Sequence, residues 1–443
     1  MRIVIAGAGE VGFHIAKLLS NEAHSIVLID TNQDVLNRAE DEMDVYTIKG
    51  LAYSFKVMER AQVNDADLLI AVTSSETTNL TIATIGKQLG AKRTIARINN
   101  IEFLKLKHKL NFDEIGIDVM ISPEDLAAKE INRLIRQSAF TDSFDFGRGL
   151  LHLVGVHFEE NAVAIGMSIQ AVSEMEGVRC LAVMRSNEKI IPCDSDYFKD
   201  HDHAYFLCKQ EGLDTIARLA GKEFYEINDI MILGGGRVAG AALKRLKHKK
   251  NIKVIEKEEE RSFELADAYP DILVINDDGH NVKLLEEENI SEMDAFIAVT
   301  GNSETNIISC LLAKSHGVKK TIALVENMDY ISLSQNIGID TLINKKLIAA
   351  NNIFRYVRKG EIINIAGLHG LDVEVLEIEV LTTSLLAKKP LNKINLPDGV
   401  VLGGWIRDDE AHLINGDEQL QVGDRVIVLS IQESIKKTIK LFR

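Results

Sequence analysis

The chain has 443 residues, of which 46 % are hydrophobic and 26 % charged, with a formal net charge of −15. That length calls for more than one domain of ordinary size, and the acidic balance argues against nucleic acid as a partner. No apolar run approaches the roughly 20 residues that cross a bilayer, no signal segment precedes the first strand, and four cysteines without a C-x-x-C pair fit a reducing cytoplasm.

In chain order, a strand over 2–6 runs into Gly7-x-Gly9-x-x-Gly12 and the chain resumes as a helix over 10–20. The first glycine permits a tight turn, the second lets backbone approach a pyrophosphate, and the third brings helix and strand together. Gly7, Ala8, Gly9, Glu10 and Val11 are therefore expected to cradle phosphate at the positive end of a helix. A second strand over 25–29 leads into Asp30 of "VLID". An acid there favours a ribose with free hydroxyls, hence NAD(H) or an adenine nucleotide over NADP. Strands near 44–48, 67–72, 93–97 and 118–121 alternate with helices near 32–41, 52–61, 76–89 and 100–109. Such alternation, with apolar strands, predicts a parallel sheet covered on both faces. Leu51 after the third strand is expected on the adenine side, and Thr73 and Ser74 after the fourth near the sheet's switch point. Arg97 ends the fifth strand.

Ser122 and Pro123 open a further helix, after which the pattern changes. Strands near 150–158, 178–185 and 203–208 with a helix near 166–175 predict a small α+β module. The chain then repeats itself. "IVIAGAGEVG" at 3–12 returns as "IMILGGGRVAG" at 230–240, "DADLLIAVTSSETTNL" at 65–80 as "MDAFIAVTGNSETNI" at 293–307, and "AKRTIARINN" at 91–100 as "VKKTIALVEN" at 318–327. Gly7, Thr73 and Asn79 map to Gly234, Thr300 and Asn306, each displaced by 227 residues. The second cradle is Gly234, Gly235, Gly236, Arg237 and Val238, its ribose acid is Glu256, and Asp277, Thr300 and Gly301 occupy the later loops. Arg237 stands where the first copy has Glu10, and a guanidinium in a phosphate loop suits a phosphate-rich ligand such as ATP or ADP. Arg97 becomes Leu324 in the second copy, so the two sites are expected to differ in preference.

A second small module follows, with strands in "DVEVLEIEV", "VVLGGWIR" and "DRVIVLS" and a helix in "QESIKKTIKLF". The expected class is α/β, with tandem Rossmann-like N-lobes each followed by a small α+β C-lobe. The lobes are expected at 1–140, 141–225, 226–358 and 359–443. "HDH" at 201–203 has no third metal ligand in reach, and the basic runs "KLKHK" (105–109) and "KHKK" (247–250) suit solvated helix ends. No metal site and no catalytic residue is assigned. An NAD-dependent oxidoreductase is the alternative function. It would need a general acid or base beside the nicotinamide, and the small modules show no evident His–Asp or Lys–Glu constellation.

The whole chain resembles the peripheral nucleotide-binding subunit of Trk-type bacterial potassium-uptake systems, built from tandem regulator-of-potassium-conductance domains. The resemblance rests on "IAGAGEVG", "DADLLIAVTSSETTNL", "TIARINN", "MISPEDLAAKEINRLI", "ILGGGRVAG" and "DAFIAVTGNSETNI". It departs at Lys49-Gly50-Leu51 and Asn276-Asp277, where such domains often carry Gly-Asp. The resemblance implies N-lobes paired through the helix after the sixth strand, and a homo-oligomeric ring, a tetramer of tandem chains, under a membrane potassium transporter. It also implies a cytoplasmic subunit at the inner face of the cell membrane, with NAD(H) or ATP/ADP occupancy biasing the pore.

Overall fold

The computed structural model describes the chain apart from residues 21–23, 107–108, 186–187, 191–195, 223–224, 247–249, 280, 327–329, 331–337, 358–361 and 369–372. Cys193 and parts of both basic runs therefore lie outside the described residues. In the first lobe β1 (Arg2–Ala6), β2 (Ser25–Asp30), β3 (Tyr46–Lys49), β4 (Leu68–Ala71), β5 (Thr94–Arg97) and β6 (Val119–Ile121) form a parallel sheet ordered β3-β2-β1-β4-β5-β6. The strands are near-continuous apolar runs, and the helices between them are α1 (Glu10–Ser20), α2 (Gln33–Glu42), α3 (Phe55–Arg60), α4 (Glu76–Leu89) and α5 (Glu102–Leu106). The sixth, α6 (Pro123–Arg136), is capped by Ser122, whose hydroxyl accepts from Asp125 N at 3.2 Å.

Between the two parallel sheets, β7 (Asp142–Phe146), β8 (Leu151–His157), β9 (Val178–Arg185), β10 (Glu188–Ile190) and β11 (His203–Cys208) form an antiparallel sheet, with α7 (Ile169–Ser173) and α8 (Gly212–Leu219) on one side. The second parallel sheet repeats the first order: β14 (Leu273–Asn276), β13 (Asn251–Glu256), β12 (Asp229–Leu233), β15 (Ala295–Ala298), β16 (Lys320–Leu324) and β17 (Thr341–Ile343). Its helices are α9 (Arg237–Leu246), α10 (Glu259–Ala268), α11 (Val282–Glu287), α12 (Ser303–Ser315) and α13 (Lys345–Val357). The last sheet joins β18 (Ile362–Gly367), β19 (Val373–Glu379), β22 (Arg425–Ile431), β20 (Val400–Arg407) and β21 (Glu410–Leu413), closed by α14 (Ile435–Leu441).

The parallel lobes exchange their last helices. The apolar stripe of α6, Ala127, Ala128, Ile131, Leu134 and Ile135, is buried in the core of the second lobe against α9. Reciprocally, Ala349, Ala350, Ile353, Phe354 and Val357 of α13 are buried in the core of the first, against α1. The charged ends reinforce the register: Arg245 Nη2 donates to Asp125 Oδ1 at 2.6 Å across the lobes. The two antiparallel sheets also meet face to face, with Phe146, Leu153, Tyr205 and Leu207 packing with Val375, Ile406, Ile427 and Leu429. A Cβ on Gly403 would lie 2.9 Å from a methyl of Leu207 and 3.0 Å from one of Leu181, so a side chain there would have to push both leucine ends aside. Both small lobes use the same brace: Arg185 pairs with buried Asp202 through Nε and Nη2 at 2.7 Å, and Arg407 with buried Asp424 identically.

The sequence pattern misses β7, β10, β18, β21 and α8; the helix expected at 100–109 is found as α5 over 102–106, with 107–108 outside the described residues. Three of those strands, β10, β18 and β21, lie at sheet edges, as does β7. The apolar signal is weak where an edge strand is partly covered, as in β21 "EAHL", or where its buried positions are polar, as Asp142 and Ser143 are in β7 "DSFDF". In "HDH", Asp202 is the arginine brace, His203 begins β11 and stacks on His157 with ring centroids 4.1 Å apart.

Candidate nucleotide-binding clefts

Each glycine loop is shaped by what a side chain would strike. Gly7 has φ +106°, and a Cβ there would lie 2.9 Å from Thr73 N; at Gly12 it would lie 1.8 Å from Gly7 O. At Gly9 nothing lies within 4 Å, so the middle of the loop is open where the ends are crowded. The second loop repeats this, with Gly234 at φ +97° and 3.0 Å from Thr300 N, and Gly236 open. Ala239 replaces the third glycine, as this loop type tolerates. The first N–H groups of α1 and α9 have no partner within the helix, which leaves donors aimed from Gly9–Glu10 and Gly236–Arg237. A pyrophosphate fits such a cradle: the crowded glycines hold the turn, and the open one admits the anion.

The acids at the ends of β2 and β13 brace the loops. Asp30 Oδ2 accepts from Ala8 N at 2.7 Å and Oδ1 from Asn32 N at 2.9 Å. Glu256 Oε2 accepts from Gly235 N at 2.5 Å and Oε1 from Glu258 N at 2.8 Å. A carboxylate has about four lone-pair sites, so each acid keeps capacity for ribose hydroxyls. Arg261 Nε further holds the second loop through Gly235 O at 2.8 Å.

The later loops converge on the same edge of each sheet. Gly50 N donates to Asp30 O at 2.9 Å, which places Leu51, half-exposed, next to the acid; Asp277 N donates to Glu256 O at 3.1 Å in the second copy. Asn79, buried in α4, accepts from Thr73 N (2.8 Å) and Oγ1 (2.7 Å), and donates to Thr73 O (3.1 Å) and Arg97 O (2.9 Å). Asn306 does the same for Thr300 and Leu324, at 3.0, 2.6, 3.1 and 2.7 Å. These clamps tie the ends of β4 and β5, and of β15 and β16, into one rigid rim. The sequence reading aligned both asparagines without giving them a role. The signal was a polar residue at a buried position of each helix.

Ser74 O accepts from Asn99 Nδ2 at 3.5 Å on that rim, and Arg97 Nε is buried without a hydrogen-bond partner. Gly301 opens on free space. Two candidate residues face the other lobe. Arg237 lines a cavity of about 410 Å³ between α9 and α10 and the first lobe's Glu76, Asn99 and Asn100. Glu10 lines one of about 1020 Å³ and pairs with Lys346 of α13. Lys346 Nζ also binds Glu326 Oε2 at 3.0 Å, and Lys345 binds Glu326 at 3.1 Å. Burial would raise the Glu326 carboxyl, but the two lysines hold it below its usual range.

The TrkA-N domain family matches residues 3–123 and again 230–345, and the TrkA-C domain family matches 375–443. The Trk system potassium uptake protein TrkA of Haemophilus influenzae is 32 % identical over 100 % of this chain and 99 % of its own, and TrkA homolog 2 of Methanosarcina mazei 31 % over the whole of both. The chain belongs to the TrkA family. Each TrkA-N segment contains one glycine loop and one complete parallel sheet. The fold is shared with the GsuK RCK domain (TM-score 0.61, 17 % identity, 99 % of this chain and 94 % of that one). It is shared likewise with the GsuK channel bound to NAD (TM-score 0.61, 18 % identity, 99 % and 78 %). Unlike a channel, this TrkA-family chain has, among the described residues, no helix long and apolar enough to cross a membrane.

Proposed function

We propose that this chain is the nucleotide-sensing regulatory subunit of a membrane potassium transporter, and that it reads its nucleotide without consuming it. The observation that carries the reading is the helix exchange: α13 roofs the first glycine-loop helix and α6 the second, so a ligand at either loop lies at a boundary between lobes. A ligand shifts such a boundary only by its differential affinity for two arrangements. The TrkA-family relatives support the potassium-transport role, and the NAD-bound GsuK channel supports the ligand class.

In this reading Gly7–Val11, Asp30, Leu51, Thr73, Ser74 and Arg97 hold NAD(H). Gly234–Val238, Glu256, Asp277, Thr300 and Gly301 hold ATP or ADP, with Arg237 supplying the added cation. The four lobes run 1–140, 141–225, 226–358 and 359–443. Four such chains form a ring under the transporter, in the cytoplasm at the inner face of the membrane, and no residue acts catalytically. Calorimetric titration with NADH, NAD, ATP and ADP tests this on the wild type, Asp30→Ala and Arg237→Ala. Asp30→Ala is expected to abolish dinucleotide binding, and Arg237→Ala to weaken ATP selectively. Absence of any nucleotide binding by the wild type, or steady turnover of NADH, overturns the reading.

A further inference from the structure

The first glycine loop carries an acid, Glu10, at the point where a phosphate would approach, and that acid is bound by a lysine from the other half of the chain. Lys346 is the second residue of α13, held by Asn344, whose Oδ1 accepts from Lys346 N at 2.9 Å. Its ammonium bridges Glu10 and Glu326 at the wall of the 1020 Å³ cavity, which also contains Ala8 and Gly9. The lysine side chain is 22 % exposed and Glu10 65 % exposed. Lys346 is thus fixed by its helix while Glu10 is free to swing away into solvent.

The repeat sharpens the point. "ISPEDLAA" at 121–128 returns as "INKKLIAA" at 343–350, so Lys346 stands where the first copy has Glu124. Glu10 likewise stands opposite Arg237. The aligned positions reverse sign between copies, but only the Glu10–Lys346 pair forms: Glu124 Oε2 is buried without a hydrogen-bond partner and does not reach Arg237. The same 1020 Å³ cavity contains Lys17 and Arg38 of the first lobe, but both are paired with Glu42, whereas the cation that binds the loop's own acid is lent by the second copy.

We propose that Lys346 completes the first nucleotide cleft, exchanging Glu10 for a ligand phosphate when a nucleotide diphosphate or dinucleotide enters. This rests on the nucleotide reading of that cleft. An incoming phosphate repels Glu10 and attracts the ammonium 's charge-assisted donors, so Glu10 is displaced to solvent while Lys346 remains on α13. Occupancy of the first cleft then acts directly on a helix belonging to the second lobe. Glu10 serves as the phosphate's stand-in when the cleft is empty, which avoids leaving a half-buried lysine facing only Glu326.

The test is titration of the full chain with NADH and ADP, with adenosine as the probe that has no phosphate, on the wild type, Lys346→Gln, Lys346→Arg and Glu10→Gln. Lys346→Gln is expected to raise the Kd for NADH and ADP roughly ten-fold or more, the scale of one lost charge-assisted hydrogen bond. Adenosine affinity should be unchanged, Lys346→Arg should restore phosphate binding, and Glu10→Gln, which keeps the loop's backbone N–H donors and removes only the competing charge, should bind NADH and ADP more tightly than the wild type. Equal NADH affinity in Lys346→Gln and the wild type overturns the inference while leaving the nucleotide reading intact. Equal weakening by Glu10→Gln and Lys346→Gln also overturns it, because the pair would then only hold the lobes together. A wild type that binds none of the probes removes the nucleotide reading and the inference with it.

Discussion

Lys320 shows how much a single side chain can carry here. It is fully buried at the start of β16, where Nζ donates to Phe140 O at 2.6 Å and so joins the second parallel sheet to the segment entering the first small lobe. Burial pulls its pKa down to about 8 from 10.5, more than the carboxylate of Asp340 can restore. The unfolded chain therefore binds a proton between pH 8 and 10.5 that the folded chain has released, and this group's contribution to stability rises across that window. Below pH 8 both states are protonated and the cost of the buried charge is constant. Urea unfolding of the wild type and Lys320→Met at pH 7.0 and 10.5 should show the variant's stability relative to wild type falling by on the order of 3 kcal/mol with rising pH. A difference that stays flat with pH would mean Lys320 is hydrated in solution. Asn79 and Asn306 make the complementary point without charge: each amide satisfies backbone groups on two strand ends at once, which an apolar residue in the same buried place would leave unpaired.

Among the elements, α6 and α13 decide the architecture. Each has a stripe of apolar residues at i, i+3 and i+4 spacing that predicts burial, but the surface it covers belongs to the other lobe. The first lobe's core is consequently incomplete without residues more than two hundred positions away. Ile353→Ala on α13 is expected to cost roughly 2–5 kcal/mol, as core truncations do, and to do so in the first lobe. Hydrogen exchange should quicken in α1 and β1 more than in β12 and β15; the reverse order would mean that α13 stabilises its own sheet. The third glycine position shows the same coupling on a smaller scale. Ala239 is accommodated in α9, whereas a Cβ at Gly12 would fall 1.8 Å from Gly7 O, so α1 lies closer to its own loop than its copy does.

For the whole molecule, the Glu10–Lys346 contact and the reversed signs of the aligned positions predict that unlike halves pair in preference to like ones. A pair of first halves would set Glu10 against Glu124, and a pair of second halves Arg237 against Lys346, like charges in both cases. Only the mixed pair offers the Glu10–Lys346 contact seen here, and such repulsion is an effective means of choosing partners. Co-expressed fragments 1–225 and 226–443 should therefore co-purify as a one-to-one complex in preference to either self-pair, most clearly at low salt where charge is least screened. Self-pairs in equal yield would show that the apolar faces of α6 and α13 alone govern assembly.

The sequence by itself determined the duplication, the parallel sheets, the glycine loops and their acids, because each is a local pattern: strand, turn and helix signals within about thirty residues, repeated at a fixed displacement. Asp30 and Glu256 were legible for that reason, and so were Gly7 and Gly234. The edge strands β7 and β21 were not: β7 buries the polar Asp142 and Ser143, which carry no apolar signal, and β21 is only partly covered. The exchange of α6 and α13, the closure of the two small sheets on each other and the Lys346 bridge depended on tertiary structure. An amphipathic stripe states that a face will be buried, and a lysine that it will seek an acid, but which surface and which acid is settled only when the copies pack.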